Sequence, residues 1–102
     1  MRSLIETMSS LSFNEDEFIC NNDKDNSISY VISLDSSSED LFEVRGLAYY
    51  FFYIIINSGR SKKEDIEKLH RMVLEKYCIS EEKLFSDIDS FIKTAMEQRI
   101  LV

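Results

Sequence analysis

The pattern of hydrophobic and polar positions predicts three short strands in the first half of the chain. The clearest signal lies at residues 28–34, where apolar side chains recur at every second position, as in a half-buried strand. A shorter strand is predicted at residues 18–20, and the polar residues 21–26 between the two are typical of a turn. Another turn is expected at residues 36–40, and Leu41–Arg45 follows as the third strand. Its alternation places Phe42 and Val44 on one face and Leu41 and Glu43 on the other.

Three helices are predicted in the second half. Residues 47–56 form an apolar run, and the length of this run favours a buried helix over a single strand. Gly59 is well placed as the glycine that follows that helix. Ser61 and Glu64 form a capping-box pattern before an amphipathic second helix, and Ser80 is the expected cap of a third. The wide apolar stripe of the third helix comprises Leu84, Phe85, Ile88, Phe91, Ile92, Ala95 and Met96.

The order of these elements predicts the fold class. Three short antiparallel strands followed by three helices indicate an α+β fold. The same set of secondary-structure elements also occurs in winged-helix domains. A chain of 102 residues suits one domain with one core. We expect the serine-rich residues 1–14 to form a flexible N-terminal arm and residues 15–102 to form the domain.

Composition and charge narrow the classes of function. The formal net charge is -7, and because nucleic-acid affinity depends on cations that neutralise phosphates, this balance argues against a nucleic-acid partner. Cys20 and Cys78 are far apart in sequence, and His70 lies among charged residues, so neither a zinc site nor a nucleophile pair is expected. Paired carboxylates such as Asp87 and Asp89 are common on solvated helices. We therefore expect a protein that is not an enzyme and that uses no cofactor.

The sequence also bears on localisation. The N-terminal residues lack the continuous apolar segment of a secretory signal. The longest apolar run, residues 47–56, is too short to span a bilayer, which needs about 20 residues. With the two cysteines read as reduced thiols, these features predict a cytoplasmic protein with no membrane partner.

A series of short motifs runs in a fixed order through residues 41–102, about six tenths of the chain. A strand ends in a small-residue step, an aromatic-rich helix follows, and a glycine turn leads into two further helices with their own signatures. The residues that form these motifs are Gly46, Ala48, Phe51, Phe52, Ser58, Gly59, Ser61, Glu64, Asp65, Ile66, Tyr77, Cys78, Ile79, Asp87, Ile88, Phe91 and Ile92.

In this order and spacing, the motifs resemble the PqqD-like family, whose members are also called RiPP recognition elements. These are leader-peptide-binding domains of pathways that make ribosomal peptide natural products. The resemblance implies that the protein binds the leader segment of a precursor peptide as an added strand beside its third strand. It also implies that the last helix closes the groove and that the precursor is presented to a modifying enzyme, often a radical SAM maturase.

The implied mechanism agrees with elementary physics, because an exposed strand edge captures an extended peptide through its unpaired N–H and C=O groups. The third strand would supply that edge. The apolar stripe of the last helix would form the wall of the peptide-binding groove. Two charged residues on that helix would lie at the rim of the groove and select peptides by their charge. The peptide-binding residues implied in this way are Leu41, Phe42, Glu43, Val44, Lys83, Leu84, Asp87, Ile88 and Phe91.

Two other functions stay open at this point. The first is a winged-helix DNA-binding regulator, which has a similar set of helices and strands. The third helix here begins with Glu81 and Glu82, however, and these carboxylates would repel phosphate. A structural subunit of a protein assembly is the second alternative. The aromatic run at residues 49–53 exceeds what a small core needs to hide, and an excess of that kind can form a permanent interface.

Overall fold

The computed structural model describes residues 2–35 and 41–102. It confirms the predicted α+β fold, in which three antiparallel strands are followed by helices. The turn predicted at residues 36–40 lies outside the described residues. The elements are α1 (Arg2–Ser10), β1 (Phe18–Asp23), β2 (Ile28–Ser33), β3 (Leu41–Arg45), α2 (Leu47–Asn57), a 3-10 turn (Gly59–Ser61), α3 (Lys62–Lys76) and α4 (Glu81–Glu97).

The sheet has the order β1-β2-β3, so β2 is central and β3 forms one edge. Val31 of β2 pairs with Phe42 of β3, and Ser29 pairs with Val44. Val31, Val44 and Ser29 are buried on the face that the helices cover. The apolar alternation that predicts β2 therefore lies on the opposite face, because side chains alternate between the two faces of a strand.

Helix α2 forms where the apolar run predicts a helix, and it carries the centre of the core. Gly46 precedes it with φ of 63°, a conformation that residues with a Cβ rarely adopt. Gly59 follows it with φ of 57°. Phe51 and Phe52 are both fully buried, and the Phe52 ring meets those of Phe13 and Phe91 edge to face at 6.2 and 5.8 Å.

The two later helices begin as predicted, but their caps differ. The Ser80 hydroxyl accepts a hydrogen bond from the Lys83 N–H at 3.1 Å, which confirms the predicted cap of α4. Ser61 precedes α3 without capping it through its side chain. Ser61 is the last residue of the 3-10 turn, and its hydroxyl contacts the Ser58 carbonyl and the Asp65 carboxylate instead of the helix N–H groups.

The N-terminal residues form a packed helix where a flexible arm was expected. Leu4, Ile5 and Met8 lie on one face of α1, and they are buried against the core together with Leu11. The chain then runs antiparallel to its own C-terminal end, where the Ser12 N–H donates to the Val102 carbonyl and the Val102 N–H donates back. The serines of this segment lie between apolar residues spaced one helical turn apart, and that spacing is what positions the helix.

The core contribution of α2 can be tested by substitution. Phe51→Ala and Phe52→Ala should each destabilise the domain by about 3–5 kcal/mol, because each leaves a cavity in a packed interior. In a domain of this size, that loss lowers Tm by more than about 10 °C. Tyr50→Ala, on the exposed side of the same helix, is the matched control and should lower Tm much less. Parent-like Tm values for both phenylalanine variants would show that α2 is not the core helix.

The packing of α1 gives a second test. Met8→Ala should cost about 2–5 kcal/mol, as the loss of a fully buried methionine does. Thr7→Ala removes an exposed neighbour and should leave the urea midpoint nearly unchanged. Equal urea midpoints for the two variants would mean that α1 does not pack on the domain in solution.

Candidate functional site

The outer edge of β3 presents backbone groups to which no described strand is paired. The Leu34 N–H donates to the Glu17 carbonyl at 2.8 Å, which fixes the hydrogen-bonded pairs between β1 and β2. Because these pairs alternate along an antiparallel ladder, Ser29 and Val31 direct their backbone groups towards β3. Phe42 and Val44 therefore bond to β2.

It follows that the backbone N–H and C=O groups of Leu41, Glu43 and Arg45 point away from the sheet. Their side chains lie on the uncovered face, where the Arg45 guanidinium forms an ion pair with the Glu43 carboxylate. These backbone groups can add a further strand without any change in the existing ladder.

A cavity of about 400 Å³ opens beside the start of β3. Leu41 and Phe42 contribute one wall, and Gln98 and Ile100, just after α4, contribute another. A volume of this size accepts one or two side chains of a bound segment. The full lining consists of Phe18, Val31, Ser33, Asp35, Leu41, Phe42, Gln98 and Ile100.

A cluster of polar contacts holds the C-terminal wall of this cavity in place. Arg99 adopts φ of 61°, a conformation that is strained for a residue with a side chain. The buried Asn14 side chain donates to the Arg99 carbonyl at 2.9 Å and to the Glu17 carboxylate. Hydrogen bonds from Asn14 and then from Arg99 lower the pKa of the Glu17 carboxyl. Asn14 therefore fixes the turn that carries Gln98 and Ile100.

The residues predicted on the third strand occupy different positions in this site. Leu41 and Phe42 line the cavity, and Glu43 lies at the open edge. Val44 is buried in the core, where it supports β3 from behind. Three of the four residues are therefore close to the free edge or the cavity.

The residues predicted on the last helix divide differently. Leu84 and Ile88 belong to the core, and the half-buried Phe91 packs against Phe52. Lys83 and Asp87 are exposed and form an ion pair of 3.0 Å. None of these five residues is among those that line the cavity. Lys83 lies about 22 Å along the helix axis from the end that approaches β3.

Sequence reasoning missed Gln98 and Ile100 as site residues. The apolar residues after α4 are the signal in the sequence, because an apolar segment that follows a helix needs a place to be buried. Ile100 and Leu101 are buried, and they pair with the segment that follows α1.

A second depression, of about 390 Å³, lies between α1, α3 and the start of α4. Its walls carry both signs of charge, with Glu6, Lys63 and Arg71 among them. The His70 Nε2 atom is buried, lies 3.6 Å from the Glu81 carboxylate and has no hydrogen-bond partner among the described residues. At 3.6 Å these two atoms are farther apart than in an ordinary hydrogen bond.

Three further features of the described residues bear on function: metal ligands, the Cys20 thiol and the character of the helices. Within residues 2–35 and 41–102, no three histidine, cysteine or acidic side chains are arranged to hold a metal ion. The Cys20 thiol lies on the covered face of the sheet, and its burial raises its pKa. Across the described part of the chain, no helix has the length and apolar character to cross a membrane.

Comparison with protein families, with curated proteins and with solved structures finds no match to this chain.

The two cysteines should differ in reactivity. At about pH 8, an alkylating reagent should modify the exposed Cys78 quickly and Cys20 slowly, because burial limits access to Cys20 and its raised pKa keeps the thiol protonated. Cys78→Ser isolates the slow site and Cys20→Ser the fast one, with rates followed by mass spectrometry. Equal rates in the two variants would contradict the packing of the covered face.

Proposed function

We propose that this protein is an adaptor that binds an extended peptide as an additional strand beside β3. One observation supports this proposal most directly. The backbone groups of Leu41, Glu43 and Arg45 point outward from the sheet, and a cavity lies next to them at Leu41 and Phe42. Main-chain hydrogen bonds supply affinity in this mode of recognition, and pockets for alternate side chains supply selectivity.

The alternation of an added strand divides its side chains into two sets. One set lies over the covered face, where a side chain beside Phe42 reaches the cavity that Ile100 helps to line. The other set continues the uncovered face beyond Leu41. A peptide of about ten residues is long enough to pair with β3 and to extend past both ends.

The second part of the proposal is that the bound peptide is the leader of a ribosomally made precursor, which the adaptor presents to a modifying enzyme. This part is supported by the motif order of residues 41–102, which resembles the PqqD-like family. In this proposal the adaptor does no chemistry itself and the modification belongs to the partner, of the radical SAM class in the pathways that the resemblance indicates.

The DNA-binding alternative has less support. The exposed residues at the start of α4 include Glu81, Glu82 and Asp87, which disfavour an approach to phosphate. Among the basic residues at the start of α3, Lys62 donates a hydrogen bond to the Leu11 carbonyl within the domain. A salt-dependent shift of the protein on duplex DNA would favour this alternative over peptide binding.

Main-chain recognition can be separated from side-chain recognition at Glu43. Glu43→Pro removes an N–H at the open edge and leaves the β2 ladder intact, so the variant should stay folded and lose peptide binding. Glu43→Ala keeps the N–H and should bind with a loss of less than about tenfold, as expected for one exposed charge.

The measurement is a titration of labelled protein with synthetic leader peptides, taken from the short reading frames that neighbour the gene. Amide shifts should concentrate in Leu41–Arg45 and at Gln98 and Ile100. Normal binding by a folded Glu43→Pro variant, or shifts confined to α3, would refute strand addition.

A further inference from the structure

The uncovered face of the sheet is apolar to a degree that folding does not explain. Ile19, Ile32 and Leu41 form one row across the three strands, since Ile32 pairs with both of the others. Leu34 lies two residues beyond Ile32, on the same side. The exposed fractions of these four side chains are 53%, 46%, 52% and 50%, respectively. Single exposed apolar side chains are ordinary, but four neighbouring ones, here two isoleucines and two leucines, mark an interaction surface. We call these four residues the outer row.

The sequence of β2 strengthens this point. Ile28 and Tyr30 share the uncovered face with the outer row and are half-buried, whereas the covered face receives Ser29. The Ser29 hydroxyl is satisfied there by the Asn22 side chain at 2.6 Å. In a sheet with one wet face, the polar residues normally lie on that face. The reversal in β2 indicates that the uncovered face has a partner.

The border of this face is acidic. Asp16, Glu17 and Asp35 line a depression with Leu34 at one end, and Asp23 pairs with Ile28 at the other end. Two arginines lie near this border. Arg99 forms an ion pair with the Glu17 carboxylate, and Arg45 forms one with the Glu43 carboxylate. The chain as a whole has a formal net charge of -7. A second copy or an anionic membrane would therefore bring like charges together, whereas a basic partner would complement them.

The dimensions of the face suit one helix. Three strands about 4.8 Å apart make a surface roughly 10 Å wide, which is the diameter of a helix with its side chains. The six residues of β2 span about 20 Å, the length of about 14 helical residues.

We propose that the outer row docks an amphipathic helix of a partner protein, with an apolar stripe towards the sheet and lysines or arginines along its flanks. Laying a helix over the bare face would complete a second layer on the sheet, in the manner of helix-on-sheet folds. This surface shares Leu41 with the open edge of β3, but Ile19, Ile32 and Leu34 lie away from that edge, so the adaptor can hold a peptide at the edge and a partner helix on the face.

The test uses two synthetic helical peptides of about 14 residues with the same leucine stripe, one with lysine flanks and one with glutamate flanks. Binding is measured by amide shifts and by titration. The lysine peptide should shift Ile19, Ile32 and Leu34, and it should bind at least tenfold more tightly than the glutamate peptide. Ile19→Thr/Ile32→Thr, which keeps strand propensity, should weaken binding at least tenfold. Met72→Thr, equally exposed on α3, should not weaken it.

Several results would overturn the inference. They are shifts outside the outer row, equal affinity for the two peptides, no binding of either peptide, and unchanged binding by the double threonine variant. A parent protein that sediments as a dimer, with a monomeric double variant, would make a second copy the occupant. Binding to anionic lipid vesicles through the same residues would make it a membrane. Comparison of Glu43→Pro with Glu43→Ala separates this surface from the peptide site, because both variants remove the same charge from the face. They should bind the lysine peptide equally, whereas only Glu43→Pro should lose binding of the extended peptide at the edge.

Discussion

The buried Phe52 ring connects separate parts of this domain through its edge-to-face contacts. Phe13 reaches Phe52 from the segment after α1, and Phe91 reaches it from α4. One buried side chain therefore joins three parts of the chain that are distant in sequence. A domain of this size has a single core and little stability to lose. The arrangement of the two chain ends depends on that aromatic cluster.

The position of the cavity follows from the same cluster. Phe13 also pairs with Leu101, so the segment that packs on Phe52 brings the C-terminal residues beside the sheet. Asn14, the next residue, satisfies the carbonyl of the strained Arg99 and so sets the direction of the chain at Gln98 and Ile100. The cavity next to β3 thus depends on contacts between residues that are more than eighty positions apart in sequence.

The sequence predicts local structure well wherever one periodicity dominates. Leu41–Arg45 and the three later helices lie where alternation, caps and glycines indicate them. It fails at α1, because the polar residues around Leu4, Ile5 and Met8, among them Ser3, Ser9 and Ser10, hide a helical face that only packing against α3 and α4 reveals. Alternation also cannot say which face of β2 is covered, since that depends on where α2 lies. The site shows the same limit: Leu41 and Phe42 follow from the edge strand, whereas Gln98 and Ile100 follow from tertiary contacts.

The uncovered face and the open edge of β3 share a physical origin. A three-stranded sheet with helices on one side has one bare face and two edges, and most small domains make these surfaces polar or twisted. Here the bare face carries Ile19 and Ile32 while Ser29 is buried, an arrangement that needs the Asn22 hydrogen bond to be tolerated. Exchanging polar and apolar residues between the faces of β2 would place more apolar area in the core. Stability alone does not select such a strand, and the arrangement is better understood as a sheet whose second face is completed by another molecule.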